Sequence, residues 1–414
     1  MPNGETRQGW QLLKTRNFSL LWWGQLISQV GDSLNKVALL WFVYSLTGSA
    51  MKMTMVGLLQ TLPPLIFGPL IGVYLDRFPR KPVLIAVDLL RTVMVVLIPV
   101  LYACDALTLD RLYVLVFLNA IVSTIFGPAL ASTVPLIVPA PQLTSANALL
   151  QSTSNIGLLV GPALSGLGIA LIGAQNVLYV DAATFLISAI CLIPLRVPEE
   201  TFVPHERAAP GFVPELLAGF RFVFMEHRTI FNLMAIGTLY SLGTSALVFL
   251  LPILATESLQ VGPMELGGLW SALGIGMLIA TAWLASINQG DLCSRLKLMA
   301  VAMVIGASAV FGLSLFHTPV LAAVMILMIG GSTAVFTPIV WRVLQELTPQ
   351  HLLGRVFTTF STGGMSSAMA GMAGVGWAAD TIGLSGALLG IAIALLATGV
   401  LAAVSSRRGI AVRA

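Results

Sequence analysis

Residues 54–103 read TMVGLLQTLPPLIFGPLIGVYLDRFPRKPVLIAVDLLRTVMVVLIPVLYA. Two apolar runs, 54–75 and 83–103, flank a break that carries Asp76, Arg77, Arg80 and Lys81. Each run matches the roughly twenty apolar residues that a helix needs to cross a hydrocarbon core. In lipid only a helix or a closed barrel satisfies its own backbone groups. The stretch therefore predicts two membrane-crossing helices joined by a charged turn.

The same alternation continues outward in both directions. It predicts spans near 19–46, 54–75, 83–103, 112–137, 145–172 and 176–195, then 229–256, 265–286, 296–316, 319–341, 356–379 and 384–404. The expected fold is all-α and integral to the membrane, with twelve transmembrane helices. Composition agrees, since 57% of the 414 residues are hydrophobic and only 9% are charged, against roughly 25% charged in soluble domains. A water-facing surface on a chain of this length needs more charge than that.

The net charge of +4 does not mark a nucleic-acid binder, because the basic residues lie in short breaks between spans. With both termini placed in the cytoplasm, 17 Lys and Arg fall on the inner side and two, Lys52 and Arg111, on the outer. That asymmetry orients the chain. Cys104, Cys191 and Cys293 have no metal or disulfide spacing, and His205, His227, His317 and His351 fall in predicted loops or interfacial segments. No metal site is expected. The polar start runs into an apolar stretch too long for a cleavable signal core.

The longest polar interval divides the chain into an N-terminal six-helix half, 1–196, a cytoplasmic linker, 197–228, and a C-terminal six-helix half, 229–414. Within the linker, Leu216, Leu217, Phe220 and Phe224 share one helical face, which suits an interfacial helix; a plain solvated linker fits equally. An internal repeat appears at an offset of 210 residues: Phe126, Pro128, Pro139 and Leu143 fall on Phe336, Pro338, Pro349 and Leu353, and Gly161, Gly166 and Gly173 on Gly371, Gly376 and Gly383. Two six-helix pseudo-repeats are the expected layout.

The loop Gly72-Val-Tyr-Leu-Asp76-Arg77-Phe-Pro-Arg80-Lys81 resembles the signature loop between helices 2 and 3 of the major facilitator superfamily. In that family the Asp meets a helix N-terminus, where a carboxylate is stabilised, and the basic residues latch the cytoplasmic side. The run Gly157-Leu-Leu-Val-Gly161-Pro162-Ala-Leu-Ser165-Gly166 resembles the helix-5 motif of the superfamily's antiporters, with Ser165 where a Gly is usual. The wording Asn17-Phe-Ser-Leu-Leu-Trp-Trp-Gly-Gln25, Gly31-Asp32, Leu143-Thr-Ser-Ala-Asn147-Ala148 and Leu352-Leu353-Gly354-Arg355 is similar to the drug:proton antiporter-3 branch, over essentially the whole chain.

This resemblance implies the major facilitator fold and a bacterial inner (plasma) membrane location. It also implies proton-coupled export, by alternating access, of small amphipathic or hydrophobic molecules that are drug-, macrolide- or siderophore-like. A lipid or lysolipid flippase, or a small-molecule importer of the same fold, is the alternative. The fourth span has no Arg matching the helix-4 motif of other drug antiporters, so no relay through such a residue carries over.

Charges inside spans are expensive and mark function. Asp32 and Lys36 lie deep in the first span, four apart on one face, where they can pair; they are the proton-coupling candidates, with Asn35 as a polar neighbour. Asp88 and Arg91 are expected to pair as a brace for the latch loop, and Arg342 and Glu346 to do so in the second half. Asp181 and Asp380 fall near outer span ends, where water is expected to reach them. Gln60, Asn119, Asn155, Tyr240 and Trp270 are further cavity candidates.

No Lys follows a Gly, so no phosphate loop for ATP is present, and neither HExxH nor Gly-x-Ser-x-Gly occurs. The expectation is a transporter and not an enzyme. It acts as a monomer, without cofactor or nucleic acid, and its partners are a small-molecule substrate, protons and the bilayer.

Overall fold

The computed structural model describes residues 12–75, 78–139, 142–197, 228–287, 291–348 and 353–411. Helices account for nearly all of them: α1 Arg16–Thr47, α2 Ala50–Leu75, α3 Arg80–Ala103, α4 Leu109–Ile137, α5 Leu143–Ile172, α6 Ala174–Leu192, α7 Arg228–Ile253, α8 Pro263–Ser286, α9 Leu292–Leu313, α10 Pro319–Leu347 and α11 Leu353–Ala411. A π-helical turn, Leu254–Ser258, extends α7 beyond Pro252.

Among the described residues ten helices are long and apolar enough to cross a membrane. The helix α1, which carries Asp32 and Lys36, is not among them. The 59-residue α11 covers both of the last two expected spans and breaks at Gly383, where φ is +81°. Gly173, at the α5–α6 junction, has a φ of +85°. Only glycine enters that region without steric cost, so each of these positions turns the chain within a single residue.

Polar caps set several helix starts. Thr108 accepts a hydrogen bond from the Arg111 amide at 3.3 Å, and Asp291 accepts from that of Ser294 at 3.1 Å; both satisfy donors that the first helical turn leaves open. The start of α2 is held differently. Asp380 accepts from Ser49 Oγ at 2.6 Å and from the Ala50 and Met51 amides at 2.7 and 3.1 Å. This cap explains why α2 begins four residues before the expected boundary; Asp380 is exposed, as expected, and also holds the start of this helix.

The chain packs as two compact units. The first comprises residues 1–45 and 59–207, the second 46–58 and 208–414. In the first, Phe18, Leu21, Leu84, Ala129 and Leu192 form part of a dry core, with Trp22 donating from Nε1 to the Leu149 carbonyl at 2.9 Å. In the second, α8 and α10 approach so closely that a Cβ at Gly276 or Gly330 would lie 2.0 or 2.1 Å from a backbone carbonyl oxygen of the facing helix. Large apolar residues also face outward, such as Val320 at 76% exposure and Leu171 at 73%. Such surface belongs against lipid. Nearly all of the 197–228 linker, including its expected interfacial helix, lies outside the described residues.

Candidate functional site

The first unit carries an open cavity of about 660 Å³. Gln25, Gln29, Asp32, Asn35 and Lys36 reach it from α1, Gln60 from α2, Arg91 from α3, Asn119, Ser123 and Thr124 from α4, and Asn147, Gln151 and Ser154 from α5. Thirteen of its 21 lining residues are therefore polar. Ligand pockets of this size are mostly apolar with a few polar groups, so this one favours a ligand with a polar or charged face.

At the cavity wall three helices build a charge cluster. Arg91 Nη2 donates to Asp32 Oδ1, and the Arg91 guanidinium sits 3.8 Å above the Phe185 ring, which adds a cation–π contact. Asn35 Nδ2 donates to Asp181 Oδ2. Thr184 Oγ1 lies 2.7 Å from the Asp181 carbonyl and 3.4 Å from its carboxylate. Gly31 permits this assembly: a Cβ there would lie 2.0 Å from Thr184 Oγ1 and 2.7 Å from Asp181 Oδ1.

Asp88 is fully buried, and neither of its carboxylate oxygens has a hydrogen-bond partner. The Ser188 hydroxyl approaches it but falls short of hydrogen-bond geometry. Arg91 Nε is likewise buried and unpartnered.

This arrangement revises several expectations. Asp32 makes its ion pair with Arg91 from α3, and Lys36, one turn along α1, opens into the cavity. Asp88 and Arg91 do not form the expected pair, because the guanidinium reaches across to α1 instead. Asp181 is not hydrated; it is 0% exposed and held by Asn35. Each change has one cause, the rotation of α1, α3 and α6 about their axes, which turns all three carboxylates toward one guanidinium.

Of the cavity candidates, Asn35, Gln60 and Asn119 line the cavity. Asn155 is exposed and away from it. Tyr240 and Trp270 belong to the second unit. There Tyr240 donates to the Thr333 carbonyl at 3.2 Å and stacks on Phe336 at 3.7 Å, while Trp270 is packed at 2% exposure.

The helix-5 motif lies on the face of α5 that meets α1. A Cβ at Gly157 would lie 2.5 Å from the Gln29 carbonyl oxygen, and one at Gly161 2.5 Å from Ser33 Cβ. Pro162 and Gly166 are buried on the same helix. Ser165 fills the place of the usual Gly by donating to the Leu34 carbonyl at 2.8 Å.

In the latch loop, Gly72 lies within α2, and Asp76 and Arg77 lie outside the described residues. Arg80 Nη1 donates to the Phe78 carbonyl at 2.9 Å, and Lys81 Nζ to the Ile193 carbonyl at 2.6 Å, a cation placed at the negative end of α6. In the second unit Glu346 accepts from both Arg342, at 3.0 Å, and Arg295, at 2.6 Å.

A family of transporters described as transmembrane secretion effectors matches residues 7–410. The chain belongs to that family. Among relatives of the chain, macrolide efflux protein A of Streptococcus pyogenes is 28% identical over 360 residues, covering 86% of each chain. The multidrug efflux pump Tap of Mycolicibacterium fortuitum is 28% identical over 396 residues, covering 92% of this chain and 94% of Tap. A bacterial homologue of the iron transporter ferroportin, solved in an inward-facing state, shares the fold with a TM-score of 0.74 at 16% identity, over 95% of this chain and 98% of that one. The nucleoside transporter NupG does so with a TM-score of 0.73 at 12% identity, over 96% and 99%. These are major facilitator transporters, and the present chain is a transporter of that superfamily rather than an enzyme.

Proposed function

We propose that this transmembrane secretion effector exports small amphipathic molecules, macrolide-like drugs among them, by proton antiport with alternating access. The observation that carries the reading is the Asp32–Arg91 pair set at the wall of a polar cavity. A charge pair held in a membrane helix bundle is costly, and it earns its place by exchanging partners during transport. The relatives named for macrolide and multidrug efflux support the substrate class. A proton moving down a pH gradient equivalent to about 100 mV supplies roughly 2.3 kcal/mol, enough for about a fifty-fold substrate gradient.

The proposal includes twelve spans in two six-helix repeats. Support comes from α1, from the break in α11 at Gly383, and from the like turn at Gly173, 210 residues earlier. It also includes cytoplasmic termini, a monomeric working form, and a cytoplasmic latch formed by Gly72, Asp76, Arg77, Arg80 and Lys81.

The test uses everted membrane vesicles containing the full chain and a panel of macrolides and other amphipathic drugs. Drug should accumulate inside when the lumen is acidic, and an uncoupler should abolish that accumulation. Accumulation that ignores the proton gradient would refute antiport. Failure of every compound to accumulate would refute export.

A further inference from the structure

The charge cluster holds more acid than base. Away from the terminal turns of its helices, the first unit contains three carboxylates, Asp32, Asp88 and Asp181, against two cations, Lys36 and Arg91. Lys36 is exposed on the cavity wall. With all five ionised, the interior would carry one uncompensated negative charge, at a cost of several kcal/mol. A single proton removes that charge.

The hydrogen bonds indicate where it resides. Asp32 has Arg91, and Asp181 has Asn35. Asp88 is 0% exposed with no donor on either oxygen. A carboxylate without a donor is the most costly of the three to leave ionised, and a neutral acid the cheapest to leave there.

Asp88 also sits three residues before Arg91, on the same face of α3. The Arg91 Nε donor is buried and vacant, so acceptor and donor vacancies lie side by side on one helix. Asp32, in contrast, opens to the cavity with 35% of its side chain exposed.

Building on the antiport reading above, we propose that Asp88 stores the transported proton, and that Arg91 moves from Asp32 to Asp88 when that proton leaves, vacating Asp32 for a monocationic substrate. The proton passes from Asp88 to Asp32 as the guanidinium swings the other way, and Asp32 then releases it into the cavity. The Asp32 carboxylate next takes the cationic group of the substrate. One positive charge replaces one proton, so the interior is neutral both before the proton leaves and once the substrate has bound. The groups around the cluster are Asn35 and Lys36 from α1 and Asp181, Thr184 and Ser188 from α6; the cavity wall from α2, α4 and α5 is uncharged.

The stored proton can be tested without any substrate. Infrared spectroscopy of the full-length protein in lipid reads the carbonyl stretch of a protonated carboxylic acid, which is clear of the amide bands. At neutral pH the wild type should show this band. Asp88→Asn should lose it, Asp88→Glu should keep it at a shifted frequency, and Asp181→Glu should leave it in place. Lys36→Met, with one cation fewer, should gain intensity equal to a second protonated acid. No band in the wild type, or an unchanged band in Asp88→Asn, overturns the assignment.

The exchange is tested by titrating tetraphenylphosphonium, a permanent cation, while following proton release with a dye. About one proton should appear per cation bound, with loss of the infrared band. Binding without release overturns the exchange, and absence of binding overturns the cationic substrate class. Failure of the vesicle panel with the band intact counts against export and leaves the stored proton standing.

Discussion

The contact between α1 and α5 gives the sharpest quantitative expectation. In Gly161→Ala the new Cβ would lie 2.5 Å from Ser33 Cβ and 2.9 Å from the Val30 carbonyl oxygen, where ordinary contacts begin near 3.4 Å. Neither neighbour is the free end of a flexible side chain, so α1 must withdraw by about 0.9 Å. Overpacking of this kind costs about 1–3 kcal/mol.

Alanine also raises helix propensity by about 1 kcal/mol over glycine, and a control removes that effect. Gly374 is in mid-helix on α11 with nothing within 4 Å of an added Cβ, so Gly374→Ala reports propensity alone. The Tm of Gly161→Ala should therefore fall below that of Gly374→Ala by roughly 2–12 °C, at about 2–4 °C per kcal/mol. Gly157→Ala opposes the same stretch of α1, from the Gln29 carbonyl. The double variant should lose less than the sum of the singles, because the helix is already displaced. Ser33 adjoins Asp32, so export should fall as well. The assay is thermal unfolding of purified protein beside drug accumulation in vesicles. A Gly161→Ala protein as stable and active as Gly374→Ala would refute the close-packing argument.

Three further outcomes follow from the geometry. Asp380→Ala should destabilise by about 1–2 kcal/mol, because the first turn of α2 loses its cap; Asp380→Asn should recover part of that in the same melt. Arg342→Ala, an exposed i,i+4 pair, should cost no more than about 0.5 kcal/mol, whereas Glu346→Ala also removes a carboxylate from the 7%-exposed Arg295 and should cost about 1–3 kcal/mol, as a melt of both variants would reveal. A cytoplasm-dependent reporter fused after Ala414 should be active; activity only from a periplasm-dependent reporter would reverse the proposed orientation.

Much of this protein was legible along the chain. The apolar lengths and the bias of Lys and Arg are one-dimensional quantities, because lipid imposes its demands on each segment separately. The glycines at 157 and 161 likewise announced a tight helix contact, although not which helix would fill it.

Partner choice is a different kind of quantity. Helical spacing puts Asp32 and Lys36 on one face, where they can pair, but it does not reveal that Arg91, 59 residues away, reaches the carboxylate. Asn35 meets Asp181 across 146 residues, and Asp380 reaches back 331 residues to Ser49. Sequence by itself determined which segments are apolar and helical, most of them long enough to cross a membrane, and that charges buried among them need partners. Only the tertiary structure decided which partners, because that depends on the rotation of each helix about its axis. Long-range packing, such as Gly31 against Thr184 and Gly161 against Ser33, sets that rotation, and local spacing carries no trace of it.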